Sequence, residues 1–119
     1  MDIETLYPLV TEAILRAEML AENNDPASQD AYCKVSQLEE QITKLIPASD
    51  REGVIARRGA VSAAIVARQY ERAEQLVTQF THEKDADDDL KESLKNFIVV
   101  REITINRTSF GFNNITGPV

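Results

Sequence analysis

The stretch VIARRGAVSAAIVARQYERAEQLVTQF, Val54 to Phe80, decides the fold. Wound as a helix at about 100° per residue, Val54 to Ala67 carries apolar or small side chains almost all the way round. A helix of that composition belongs inside a protein. Ala56, Ala60, Ala63, Ala64 and Ala67 gather on one side, with Ile55, Gly59, Ser62 and Val66 on another. Side chains this small let neighbouring backbones come close, because interaxial distance is set by the residues at the contact. One row departs from the pattern: Arg57, Val61, Ala64 and Arg68, flanked by Arg58 and Ile65, with no acidic residue between Gly53 and Tyr70. The expectation is a buried helix that carries a basic stripe. After Ala67 the pattern changes phase, and Ala73, Leu76, Val77 and Phe80 define a second helix with a narrower apolar stripe.

Two helices are expected before this hairpin. Leu6, Leu9, Val10, Ala13, Ile14, Ala17 and Leu20 recur at spacings of three and four, an amphipathic pattern running from about Thr5 to about Ala21 with Pro8 in the first turn, where a missing N–H is tolerated. Asp25 followed by Pro26 is a start signal, a capping carboxylate before a proline at the first helical position. The helix it opens carries Ala31, Val35, Leu38, Ile42 and Leu45, the seam of a helix packed on a near-antiparallel neighbour, and Pro47 ends it. Ser49 and Glu52 then form a capping box for the central helix.

Ala60, Ala64 and Ala67, followed by Tyr70, Glu71 and Ala73, resemble the paired helices of a tetratricopeptide repeat over about residues 54–81. In that family an aromatic-Glu pair opens the second helix and a small residue follows where the two helices cross. The resemblance implies a helical hairpin of that shape and protein binding as its occupation. No second copy stands at the family's period of about 34 residues, so an array is not expected.

The charged run HEKDADDD, His82 to Asp89, leads into a fifth helix with Leu90, Leu94, Phe97 and Ile98, and its aspartates suit a helix N-terminus. From Ile98 to Ile105 the β-branched density rises, so propensity alone does not separate helix from strand. A lone strand would have no partner within the chain, and a continuing helix is expected. The remainder, RTSFGFNNITGPV, has the glycines, proline and polar residues of an irregular tail, with Phe110 and Phe112 as apolar anchors. The fold reading is therefore all-α: a single-domain bundle of about five helices over residues 1–106, with 107–119 as a C-terminal tail or arm.

The 119 residues make one domain's worth, with 43% hydrophobic and 28% charged residues. A net charge of −7 argues against direct binding to nucleic acid or anionic membrane, both of which need a positive footprint. No apolar run approaches the roughly 20 residues of a membrane span. The first ten residues carry acids where a secretory signal would carry lysines, and the cytoplasm is the expected compartment. One cysteine, Cys33, excludes an internal disulfide.

The residues for most site chemistries are missing. Asp85, Asp87 and Asp89 match the first positions of a calcium loop, but Leu90 and Asn96 stand where glycine and glutamate are needed. One histidine, His82, and one cysteine do not make a usual zinc site, and no glycine-rich phosphate loop is present. Neither catalysis nor a cofactor nor a metal is expected. The leading reading is a non-enzymatic protein-interaction module, an adaptor or regulator that self-associates as a homo-oligomer. Its alternatives are an acidic inhibitor that mimics nucleic acid on a basic partner, and a helical component of a larger assembly. The arginine stripe either pairs with Glu18, Glu22, Glu39 or Glu40 of its own chain or faces a partner. In the second case the interface draws on Arg57, Arg58, Val61, Ile65, Arg68, Ile103, Ile105, Phe110 and Phe112.

Overall fold

In the computed structural model, which describes the backbone of residues 1–106 and side chains as far as Val99, five helices follow one another. They are α1 (Ile3–Glu22), α2 (Ser28–Thr43), α3 (Arg51–Val66), α4 (Tyr70–Thr81) and α5 (Asp88–Asn106). No strand occurs among the described residues. Ile98 to Ile105 is helical, as the want of a strand partner implied. The segment 107–119, with Phe110 and Phe112, lies outside the described residues. No helix among them is long and apolar enough to cross a membrane.

The helices pack largely as a row. α1 lies on α2, α2 on α3, and α3 on both α4 and α5, which also touch each other. Three apolar clusters fill the seams, and α3 contributes to all of them. Ala56 joins Leu6, Val10, Leu38 and Ile42; Ala63 joins Ala17 and Val35; Ala60, Val61 and Ala64 join Ala73, Leu76, Val77, Phe80, Leu90 and Leu94. The small residues of α3 thus do what their size permits: they let one helix be approached from two sides.

Boundaries follow local chemistry, with some departures from the sequence reading. Helix α1 starts at Ile3 because Asp2 accepts the Thr5 N–H at 2.9 Å, which leaves Pro8 inside the helix. The expected start with Pro26 as the first helical residue is not met: Asp25 closes a turn, its carboxylate accepting the Ala27 N–H at 2.9 Å and its carbonyl the Ser28 N–H at 3.0 Å, and α2 opens two residues later at Ser28, with no side-chain cap from Ala27. Helix α2 ends at Thr43, ahead of Pro47. The expected capping box at Ser49 is not formed. Asp50 is the residue before α3 and makes no side-chain cap, while the Ser49 N–H is taken by Asp85 at 3.3 Å. Asp87 caps α5, accepting the Leu90 N–H at 2.8 Å. Gly53 answers a close approach, since a Cβ there would collide with the Pro47 carbonyl.

Helices α1 and α3 end alike. Asn24 (φ 53°) and Arg68 (φ 63°) occupy the left-handed region just past the helix. The N–H groups of Asn24 and Asp25 bond the carbonyls of Ala21 and Leu20, and those of Arg68 and Gln69 bond Ile65 and Ala64. This reciprocal pair is the Schellman arrangement, whose left-handed position favours glycine. Arginine there carries a backbone cost of about 1 kcal/mol. Replacing Arg68 with Gly is therefore expected to raise stability by roughly 1 kcal/mol, or about 4–8 °C in melting temperature; a lower melting temperature would show that the Arg68 side chain contributes more than its backbone costs.

Candidate functional site

Arg57 shows where the basic stripe goes. The side chain is 2% exposed, so it is not part of any surface, and its partner is none of the four glutamates anticipated. Glu83, in the loop after α4, receives Nε at 2.6 Å and Nη2 at 2.9 Å, the two-pronged geometry that suits a planar guanidinium to a carboxylate. The other N–H groups reach the carbonyls of Thr43 (3.2 Å), Ile46 (3.0 Å) and Gly53 (2.9 Å). The ring of Phe80 lies 5.6 Å from the guanidinium carbon, within cation–π range. Helix α2 has no basic residue in its last turn, and Arg57 supplies from α3 the donors that its exit carbonyls need. Val61, another residue of the anticipated interface, is fully buried in the core.

A second arginine, Arg72 of α4, lies outside the basic row of α3 and is not marked by any spacing in the sequence. It donates from Nη2 to Glu40 at 2.8 Å and from Nε to the Ser36 hydroxyl at 3.1 Å. Ser36, itself fully buried, donates to the Ala60 carbonyl at 2.7 Å. One chain of hydrogen bonds thus joins α2, α3 and α4.

Glu39 is the odd carboxylate. It points from α2 at Gly59 and is 8% exposed, with no hydrogen bond or ion pair among the described residues. A Cβ on Gly59 would collide with Glu39 Oε2, so the absent side chain is what gives the carboxyl its place. Burial without a partner pushes its pKa up to about 7.

The surface left on α3 is a face on its outer side. Ile55 is 54% and Val66 52% exposed, Gly59 and Ser62 are half-buried between them, and Arg51 and Arg58 stand exposed alongside. Ile65 is half-buried against the α4–α5 core, and Arg68 is exposed at the end of the helix. Of the nine residues anticipated for an interface, Arg58 and Arg68 are exposed. Ile103 and Ile105 belong to α5, with side chains outside the described set, as are Phe110 and Phe112. Ile55 and Val66 were legible as a row with Gly59 and Ser62, but nothing in the spacing said which row of an almost wholly apolar helix would be left uncovered.

Elsewhere, a groove of about 700 Å³ runs between α1 and α2, with Leu9, Ala13, Ala31 and Leu38 among its lining and Glu12, Arg16, Asp30 and Lys34 of both signs beside them. Cys33 is half-buried on α2, within 3.6 Å of Gln37 Nε2, and exposed His82 bonds the Thr78 carbonyl at 2.6 Å, so the two are engaged separately. No group of three metal-ligating side chains occurs among the described residues. No family model, curated protein or solved structure matches the chain.

Two outcomes are expected. Truncating Arg57 to Ala leaves Glu83 and several carbonyls without donors and should cost about 3–5 kcal/mol in chemical denaturation; a loss below about 1 kcal/mol would mean that water replaces the guanidinium. Between pH 4.5 and about 7 the folded protein holds the Glu39 proton that the unfolded chain has released. Stability from this group therefore falls as pH rises through that window and is level above it. Glu39→Gln should stabilise the protein at pH 8, by on the order of 1–2 kcal/mol, and leave it little changed at pH 4.5. Equal effects at both values would show that the carboxyl titrates normally.

Proposed function

We propose that this chain is a non-enzymatic protein-interaction module, an adaptor or regulator of the cytoplasm, that works through the outward face of α3. The observation that carries the reading is the pairing of two half-exposed aliphatic side chains, Ile55 and Val66, with exposed Arg51 and Arg58 on a molecule of net charge −7. Arginine beside exposed aliphatic residues is the composition of an interface, because its planar fork and apolar stem serve hydrogen bonding and packing together. Ala60 and Ala64 of α3 share a core cluster with Ala73 of α4, and the resemblance of this stretch of sequence to a tetratricopeptide hairpin implies protein binding. Self-association is the form of binding we favour.

Affinity capture from the native host with wild-type chain and with the Ile55→Asp, Val66→Asp variant tests the reading. Both positions are solvent-exposed, so the variant should keep its helical circular dichroism. Proteins retained by the wild type, including copies of the chain itself, and lost by the variant are the expected result. Identical captured sets from the two baits would remove the α3 face from consideration.

A further inference from the structure

We propose that the outer face of α3 pairs with the same face of a second copy of this chain, the two helices lying antiparallel about a two-fold axis between Gly59 and Ser62. The inference rests on the reading of that face as an interaction surface and names its partner.

A two-fold contact needs a patch complementary to itself. The row Ile55, Gly59, Ser62 and Val66 meets that condition: reversed about its midpoint, Ile55 falls on Val66 and Gly59 on Ser62. The small pair stands at the centre, where the Glu39 carboxyl already fills the place of a Gly59 side chain and a short residue such as Ser62 is what can meet it. The half-exposed aliphatic pair stands at the ends, where each is offered an apolar neighbour.

Glu39 points to the same arrangement independently. Glu39 is 8% exposed as a residue, makes no hydrogen bond or ion pair among the described residues, and places its carboxyl against the row at Gly59, where a side chain would otherwise stand. In the antiparallel register the residue opposite Gly59 is Ser62 of the partner subunit, whose hydroxyl is a donor. A hydrogen bond from that hydroxyl to the Glu39 carboxylate satisfies the acceptor, and the two-fold axis makes it twice. Burying a carboxylate with no donor is costly, and this pairing removes the cost that one copy bears alone. Charge favours the same surface. Two molecules of net charge −7 repel each other, and this face, with Arg51 and Arg58 exposed and Glu52 to one side, lets them meet with little repulsion. A seam of four residues is small beside the roughly 800 Å² per partner of a standard interface, so the dimer is weak and is studied at about 0.5 mM chain.

Cysteine pairs read the register directly. Cys33, the sole cysteine, is first replaced by Ser, and Ile55→Cys and Val66→Cys are then introduced separately and together. Within one helix the two positions are about 16 Å apart, too far to bridge. On oxidation the double variant should give a covalent dimer and each single variant should remain monomeric. Dimers from either single variant would indicate a parallel or unrelated contact and overturn the proposal. So would the absence of any cross-link together with a wild-type chain that sediments at its monomer mass of 13.3 kDa. That last result leaves the broader reading of the face standing or falling on the capture comparison, because a different partner would still be lost from the Ile55→Asp, Val66→Asp bait. Ser62→Ala should raise the dissociation constant about tenfold with the helix content unchanged. An unaltered constant would exclude the hydrogen bond to Glu39 and with it this register.

Discussion

The clasp of Arg57 is the interaction on which the rest of the structure depends. Its N–H groups bind the exit of α2, the first turn of α3 and Glu83 of the α4–α5 loop, while its face lies near Phe80. Helix α3 is too poor in large apolar side chains to hold its neighbours by packing area alone, since alanines bury little. A buried cation with every donor engaged compensates by geometry. It also explains why the turn between α2 and α3 is tight enough to demand Gly53, because the carbonyls Arg57 collects come from both sides of that turn.

Arg72 and Ser36 repeat the device about one turn further along α3, tying its Ala60 carbonyl to α2 and α4. Both arrangements place the polar group where a helix of alanines leaves room. Glu39 uses the same kind of room at Gly59, but without a donor. The contrast separates two kinds of buried charge. Arg57 is fully hydrogen-bonded and specifies how four elements meet, whereas Glu39 costs the single chain stability near neutral pH. A cost of that kind in so small a core is the physical argument for looking outward from Gly59 for the missing donor.

Much of the fold was legible in the residues. The periodicities of α1, α2 and α4, the start signal at Asp25 and the aspartates opening α5 each predicted elements that the structure contains. These are local features, and local spacing carries them. The site was legible only in part. Arg57 and Arg58 are adjacent in a basic row, yet one is wholly buried and the other exposed, because a step of about 100° on a helix crosses from core to solvent. The spacing of the row does not reveal that Glu83, 26 positions on, would swing back to the first arginine. Ser49 failed as a cap for the same reason: a distant aspartate, Asp85, claimed its backbone N–H.

The sequence by itself thus determined an all-helical chain, the number and approximate extent of its helices, and the central place of the alanine-rich one, since these follow from residue size and period. Only the tertiary structure decided which side of that helix stayed uncovered, which arginine became the clasp and which glutamate went without a partner. Those outcomes depend on where elements distant in sequence come to lie. A helix with small residues on nearly every side could have been covered on any of them, and the packing of α2, α4 and α5 left the row from Ile55 to Val66.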